Sequence, residues 1–327
     1  MNEVLSSPSA RGRQKHRETG YAWLLIFALA FESPVAVAGT WHVIAWPGST
    51  PEWTKKLGVD ELRIGCKNVP AECLHRLDFY ARKTGVSHVT LAINSDPDKV
   101  AAYAREFSDA SLSEHRLRGI GIDDFVSTLL RWQRDTDLSV RPGELARKVI
   151  ANTKQSNPRL EFGITLYEDQ LVLDVLKDNT LPPDVRASID RVSLYLHFRS
   201  DAPRYPEYVQ QTKRLFPNAA IVAGIYPYDR IDYLPCKQGG KIKCSAAQEL
   251  GLFEEALRIQ AQLMIEGKVA ALEFIPGNFG NEAQWRGWHN PRVCQPSRRQ
   301  DCIDMTVQMH AKTLAILREV NPNLASR

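Results

Sequence analysis

The feature that most constrains the fold is a regular alternation of strand-like and helix-like segments along the chain. Eight short apolar runs are separated by longer segments in which apolar residues recur at helical spacing. The predicted strands cover residues 41–46, 61–67, 88–94, 118–124, 161–167, 191–199, 220–228 and 269–275. Strands that alternate with helices in this way are typical of a closed parallel barrel. The sequence therefore predicts a single (β/α)8 TIM barrel.

The predicted helices fill the intervals between these strands. They cover residues 71–84, 98–107, 125–135, 142–155, 170–177, 205–215, 245–266 and 306–320. A doubly wound open sheet is the alternative, but no glycine-rich phosphate loop follows the first strand. No repeat or linker indicates a second folded domain, so residues 39–327 are predicted to form one catalytic barrel domain.

The first 38 residues have the pattern of an export signal. Four basic residues between positions 11 and 17 precede an apolar core of eleven residues, 21–31, which is short for a membrane span. The A-x-A pattern at 36–38 predicts cleavage of a signal peptide after Ala38, with an uncleaved signal anchor as the alternative. We expect an exported protein, periplasmic or secreted, that is not held in the membrane after cleavage and is a monomer.

The charge distribution excludes one class of partner. The formal net charge is +4, and no basic run occurs outside the N-terminal segment. Nucleic-acid-binding domains concentrate basic residues in a patch or stripe, so we expect no nucleic-acid partner.

The six cysteines form three close pairs, each seven or eight residues apart. Because exported chains enter an oxidising compartment, disulfide bonds are favoured. Local pairing is the simplest arrangement and would hold loops at the catalytic face. A zinc site is the alternative, but no C-x-x-C or H-x-x-x-H spacing occurs, so we expect no metal ion. The predicted bridges are Cys66–Cys73, Cys236–Cys244 and Cys294–Cys302.

The fourth predicted strand, in the segment RGIGIDDF at 118–125, ends in two aspartates. Its isoleucines share one face, and Gly119, Gly121 and Asp123 share the other, because side chains alternate along a strand. Carboxylates at the C-terminal end of a barrel strand are placed where TIM barrels build active sites. The structural alternative is that Asp124 caps the next helix and that Asp123 is a paired, buried acid.

Polar or aromatic residues also fall on the inner face of nearly every other strand, if the large aliphatic residues point outward under the helices. A barrel interior built only for stability would carry branched aliphatic residues, and polar groups there cost free energy unless they are paired. The pattern therefore predicts a polar pocket. Its candidate substrate-binding residues are Trp46, Arg63, Asn94, Tyr167, Tyr195, His197, Arg199, Tyr226 and Tyr228.

Carboxylates on two strands indicate the chemistry. One carboxyl group can protonate the leaving oxygen of a glycosidic bond while another attacks the anomeric carbon or activates water. The predicted catalytic residues are Asp123 and Asp124 on strand four and Glu273 on strand eight. The expected substrate is a poly- or oligosaccharide, and no cofactor is expected. Glu168 and Asp169, after strand five, are interpreted as caps of the following helix.

The GIGIDDF segment resembles the fourth-strand signature of exported TIM-barrel glycoside hydrolases. Chitinase-like enzymes carry a similar strand with alternating acids that ends in a catalytic glutamate. In that alignment Gly121 and Asp123 fall at family aspartates, and Phe125 falls at the glutamate, which counts against chitinase-type catalysis. The resemblance to retaining enzymes with a nucleophile at the end of strand four implies that role for Asp123.

Two other classes of function stay open on the sequence. Asp123, Asp124, His197 and Glu273 could ligate a metal ion in a hydrolase of phosphodiesters or N-acyl groups. A barrel that binds carbohydrate without turnover would retain the aromatic residues and one acid. Sensitivity to a chelator separates the first alternative from a glycosidase, and binding without product identifies the second.

Overall fold

Eight parallel strands close into a barrel in the computed structural model, in the order β1-β10-β7-β6-β5-β4-β3-β2. The structure describes residues 41–134, 141–177, 180–227, 237–238, 241–242, 246–275, 278–281 and 299–323. The barrel strands are β1 Val43–Ala45, β2 Glu61–Cys66, β3 His88–Ile93, β4 Leu117–Ile122, β5 Glu161–Tyr167, β6 Arg191–Tyr195, β7 Ala220–Ile225 and β10 Ala271–Phe274. Two further strands, β8 Lys237–Gln238 and β9 Lys241–Ile242, form a separate antiparallel pair. The predicted TIM barrel is confirmed.

Helices connect the strands. They are α1 Pro51–Lys56, α2 Pro70–Thr84, α3 Val100–Ala110, α4 Phe125–Arg134, α5 Pro142–Lys154, α6 Pro183–Ala187, α7 Tyr205–Leu215, α8 Ala246–Ile265 and α9 Arg299–Val320. Within the described ranges, none of these helices combines the length and apolarity that a membrane span requires.

The prediction of a helix over 170–177 is wrong. The chain instead forms two short 3-10 turns, Glu168–Gln170 and Asp174–Leu176. The side chain of Glu168 accepts hydrogen bonds from the loop after β6, and this tertiary contact ties the segment to the barrel. Sequence reasoning also missed the short helices α1 and α6, and it extended β6 four residues too far, to Arg199.

The strands place aliphatic side chains outward beneath the helices, as the alternation predicts. In β4, Ile120 and Ile122 are fully buried in the layer between strands and helices. On the inner face, a Cβ atom at Gly121 would lie 2.5 Å from the carbonyl oxygen of Gly163, so only glycine allows β4 and β5 to approach this closely. The apolar inner cluster of the described barrel is small and consists of Ile44, Val222 and Ala271.

Charged residues fill the N-terminal end of the barrel. The Glu61 carboxylate accepts hydrogen bonds from Thr90 at 2.6 Å, from Arg118 at 3.3 Å and from Arg191, and His42 lies 3.2 Å away. Burial by itself would raise the pKa of Glu61, but the Arg191 charge and the hydrogen bonds hold that pKa well below its usual range. Glu61 is therefore a buried, paired anion, and we interpret its role as structural. It lies at the N-terminal end of the barrel, opposite the end at which β4 leads into Asp123 and Asp124.

The first predicted disulfide, Cys66–Cys73, is present. It joins the last residue of β2 to α2 and encloses the loop that carries Lys67. Cys302 is also disulfide-bonded. Cys236, Cys244 and Cys294 lie outside the described residues, so the other two pairings stay predictions.

Candidate active site

A cleft of about 390 Å³ opens at the C-terminal ends of β1 to β4. The loops that follow these four strands supply its walls, which is where a TIM barrel builds its binding site. Four predicted site residues come together here. The polar and aromatic lining includes Trp46, Lys67, Asn94, Asp123, Asp124 and Arg131.

Asp123 and Asp124 follow the last residue of β4 directly. Asp123 is half-buried and Asp124 is exposed. In the described part of the chain, neither carboxylate takes part in a hydrogen bond or ion pair, although both line the cleft. The two groups are therefore open to a ligand in a way that a paired structural acid is not.

The backbone of Asp124 is unusual. Its φ angle is 45°, the left-handed region that non-glycine residues seldom adopt. Its carbonyl oxygen accepts the Thr128 N–H at 3.0 Å at the start of α4, so the backbone, and not the carboxylate, makes the first helical bond. Strained conformations of this kind cluster at ligand sites. The carboxylate is left available to the cleft.

The surroundings of the Asp124 carboxyl group alter its ionisation. Protein atoms around the Asp124 carboxyl group reduce its hydration, and this burial raises its pKa, as does the charge of Asp123. The charges of His197, Arg63 and Lys67 act in the other direction but do not cancel the increase. A carboxyl group with a raised pKa keeps its proton to higher pH, which is the property that a general acid needs.

Glu273 lies deeper in the barrel and is 1% exposed. Its Oε1 accepts hydrogen bonds from Trp46 Nε1 at 2.9 Å, Arg63 Nη1 at 3.0 Å and Tyr195 Oη at 2.7 Å. Its Oε2 accepts from Ser193 Oγ at 2.6 Å and Arg63 Nη1 at 3.2 Å. These contacts use nearly all the acceptor capacity of a carboxylate. Glu273 thus differs from the two aspartates, which have no such contacts.

Arg63 connects this buried layer to the aspartates. Its guanidinium group lies beneath Trp46, 5.4 Å from the ring centre, and also donates to Thr165 at 2.7 Å. Arg63 is attracted by the charge of Glu273 and by that of Asp123. The positive charge therefore lies between the buried glutamate and the cleft.

A second group of predicted residues follows β5, β6 and β7. The His197 ring stacks on Tyr167 with 3.8 Å between ring centres, and the Tyr167 and Tyr226 hydroxyl groups are 2.6 Å apart. Tyr226 in turn contacts the Tyr195 ring at 4.9 Å. Because the charge of His197 acts on Asp124, this aromatic group lies within electrostatic reach of the cleft.

Sequence reasoning missed the placement of Glu168. Its side chain does not cap a following helix but accepts the backbone N–H groups of His197 at 2.8 Å and Phe198 at 3.3 Å. Burial raises the pKa of Glu168 to about 7, against the backbone hydrogen bonds, which lower it. Asp169 lies 3.0 Å from Nδ1 of His197. The loop after β5 has no periodicity, so no sequence pattern could show these contacts.

One other predicted residue is placed differently, and another lies outside the described residues. The prediction that Arg199 ends strand six on its inner face is wrong, because the strand ends at Tyr195 and Arg199 begins a 3-10 helix. The buried Arg199 side chain pairs with Glu249 and donates to the Tyr226 carbonyl oxygen at 2.9 Å. Tyr228 lies outside the described residues.

One group in the described structure has donor atoms suitable for a metal ion. Single ligand atoms of Glu168, Asp169 and His197 all lie within 4.8 Å of one another. Both Glu168 oxygens, however, accept the His197 N–H, and Nδ1 of His197 is already beside Asp169. The metal-ligand set considered from the sequence, with Asp123, Asp124 and Glu273 around His197, is not the group that the structure assembles.

Comparison with known proteins gives similarity of fold only. No protein-family model and no curated protein matches the chain. Among solved structures, the chain is 12% identical to a GH99 endo-α-mannosidase from Bacteroides thetaiotaomicron, with a TM-score of 0.48 and 84% of each chain covered. A GH18 chitinase from Pseudoalteromonas aurantia is 10% identical, with a TM-score of 0.41 over 71% of this chain and 92% of the chitinase. A family 1 β-glucosidase from Thermotoga maritima is 10% identical, with a TM-score of 0.42 over 69% and 75% of the two chains. These are TIM-barrel glycoside hydrolases, the class that the fourth-strand segment resembles.

Proposed function

We propose that the protein is an exported glycoside hydrolase that cleaves a glycosidic bond in a poly- or oligosaccharide. The observation that carries the proposal is the pair of free carboxylates, Asp123 and Asp124, at the C-terminal end of β4 in a cleft. Burial and the charge of Asp123 raise the pKa of Asp124, which suits a proton donor. An aromatic wall at Trp46 and the amide of Asn94 add apolar and hydrogen-bonding surfaces that suit a sugar ring.

In the proposed reaction Asp124 is the general acid. Its proton passes to the glycosidic oxygen as the bond from that oxygen to the anomeric carbon breaks. The Asp123 carboxylate either attacks the anomeric carbon or removes a proton from the water that does so. In the first route the sugar is held on Asp123 as an ester, which water then attacks and cleaves. Asp124, ionised by the first step, takes a proton from that water.

The Cys66–Cys73 disulfide supports the proposed export, because such bonds persist mainly in oxidising compartments. Cleavage after Ala38 would leave residues 39–327 as the catalytic domain, which we propose to act as a monomer. N-terminal sequencing of the secreted chain and sedimentation of the purified protein test these two statements.

The function is tested with a broad panel of glycans and the mature protein. We expect product release that survives a chelator and falls by about 10²–10⁴-fold in Asp124→Asn, the range for loss of a general acid. Asp123→Asn should abolish turnover while the melting temperature changes by only a few degrees, because its carboxylate forms no hydrogen bond in the described structure.

Asp98→Asn is the matched control, since Asp98 is an exposed aspartate in the loop after β3. It should leave turnover unchanged. Activity that persists in both Asp123→Asn and Asp124→Asn would refute the proposed site, and failure of Asp123→Asn to fold would show that this residue is structural.

A metal-dependent hydrolase is the second candidate, and the Glu168, Asp169 and His197 group is the observation that favours it. Loss of hydrolysis on treatment with a chelator and recovery with added divalent cation would support this candidate. His197→Gln should then abolish the recovery. Binding of a glycan without product, unaffected by chelator, would instead identify a carbohydrate-binding barrel.

A further inference from the structure

The buried carboxylate of Glu273 has a position and a set of partners that the proposed reaction leaves unexplained. It is 1% exposed, and its four hydrogen-bond donors come from three different strands or strand ends. One of these donors, the Trp46 indole N–H, belongs to a half-buried side chain that lines the cleft. The carboxylate therefore contacts a wall of the site without lining the cleft itself.

The local structure holds the Trp46 ring by three contacts. Its backbone N–H donates to the Phe274 carbonyl oxygen at 2.9 Å, which extends the pairing of β1 with β10. Its indole N–H donates to Glu273 at 2.9 Å, and the Arg63 guanidinium lies 5.4 Å from the ring centre. The ring edge lies against Gly65, since a Cβ atom there would be 3.6 Å from Cζ3, an ordinary van der Waals distance.

The same carboxylate fixes a second aromatic side chain. Tyr195 donates to Glu273 at 2.7 Å, and its ring covers Gly224, where any side chain would collide with it. Burial and the charge of Glu273 raise the pKa of Tyr195 well above its ordinary value, so its hydroxyl remains a donor. Tyr195 contacts Tyr226 at 4.9 Å, and through it the stack of Tyr167 on His197.

We infer that Glu273 is a positioning residue, which acts through Trp46 to fix an aromatic platform for a sugar ring beside Asp123. The inference rests on the proposed function and assigns the platform to the face of the indole. Trp46 and Arg63 form one rigid unit with Glu273, because the carboxylate bonds to both and the guanidinium lies against the ring. A flat, rigid aromatic surface favours the apolar face of a pyranose, and its loss weakens binding more than it slows chemistry.

The kinetic test uses Glu273→Asp, Trp46→Phe and the double variant. Glu273→Asp keeps a negative charge near Arg63 but retracts it by one methylene from Trp46, and Trp46→Phe keeps an aromatic ring but removes the N–H donor. We expect each single change to raise KM about tenfold with kcat little changed. The KM of the double variant should be no higher than that of the more impaired single variant, because both changes break the same hydrogen bond between Trp46 and Glu273.

Trp41→Phe is the matched control, because the Trp41 indole N–H has no hydrogen-bond partner among the described residues and lies at the other end of the barrel. It should leave KM unchanged. A fall in kcat of about 10²–10⁴-fold in Glu273→Asp with unchanged KM, and no effect of Trp46→Phe, would overturn the inference and make Glu273 a reacting carboxylate.

A substrate-free measurement separates this inference from the proposed function. The sequence holds seven tryptophans, so the quenching of Trp46 by acrylamide is taken as a difference. Wild type minus Trp46→Phe gives it for the native site, and Glu273→Asp minus the double variant gives it without Glu273. We expect Glu273→Asp to make Trp46 more accessible to the quencher, and an unchanged signal would refute the positioning role. If no glycan is turned over by the wild-type protein, the proposed function fails while the quenching comparison still decides whether Glu273 holds Trp46.

Discussion

Replacement of Glu61 by glutamine should destabilise the barrel more than any change at an exposed acid. The Glu61 side chain is fully buried between Arg191, Arg118, Thr90 and His42. Glutamine keeps the shape but removes the charge, and its amide N–H group would face donors where an oxygen now accepts. The buried Arg191 would retain only its pairing with Glu161, so the expected loss of stability is about 3–5 kcal/mol.

A loss of this size corresponds to a fall of roughly 5–8 °C in melting temperature, since about 290 residues give an unfolding entropy of about 0.6 kcal/mol/K. Calorimetry or urea denaturation measures it. Glu52→Gln is the control, since Glu52 forms an exposed i,i+4 pair with Lys56 and its loss should change stability little. The double variant Glu61→Gln with Arg191→Met should recover part of the loss, because it removes the unpaired charge as well. Equal melting temperatures for Glu61→Gln and Glu52→Gln would refute the reasoning.

Three further predictions concern pH and redox state. Burial lowers the pKa of His42, but hydrogen bonds to Asp60 and Glu61 outweigh burial and raise that pKa. His42 should therefore stabilise the fold below about pH 6.5, and this stabilisation should be lost as pH rises through the raised pKa. NMR titration of His42 and melting temperatures at several pH values measure this. Because the pKa of Glu168 is raised to about 7, this residue should favour folding at low pH and cost stability as pH rises from the unfolded pKa of 4.5 to about 7, and Glu168→Gln should flatten that part of the pH–stability curve. Thiol titration of denatured, unreduced mature protein should detect no free thiol, and a stoichiometric signal would contradict three disulfide bonds. The double variant Cys66→Ser with Cys73→Ser should lose at most about 3 kcal/mol in free energy of unfolding, measured by urea denaturation.

The alternation of apolar residues was sufficient to predict the barrel and most of its strands. Each parallel strand carries its own aliphatic face, as in β4, where Ile120 and Ile122 pack under the helices. A local pattern of apolar residues therefore predicts each strand and helix. Eight strands that alternate with helices then indicate a closed parallel sheet. The error over 170–177 has the opposite cause, since the long-range bonds of Glu168 to the loop after β6 determine that segment.

The site was predictable in part for the same reason. Asp123 and Asp124 stand at the end of a recognisable strand, so their place at the cleft follows from the strand itself. The partners of Glu273 could not be predicted, because Arg63, Ser193 and Tyr195 are 210, 80 and 78 residues away in sequence. Periodicity predicts which side chains point into the barrel. Which of them pair across the interior depends on the strand register and on how deep each side chain lies.

The depth of each acid decides what it can do. Glu61 and Glu273 are both almost completely buried and both carry an arginine partner, Arg191 for the first and Arg63 for the second. A buried pair of this kind gains little net stability over an apolar pair, yet removal of one partner is costly, so it specifies a unique arrangement of the barrel interior. Asp123 and Asp124 differ from these two glutamates, because β4 ends before them and both line the cleft. In the proposed reaction, a carboxylate without a hydrogen-bond or ion-pair partner among the described residues can donate to or accept from a substrate, and Asp123 and Asp124 are two such carboxylates.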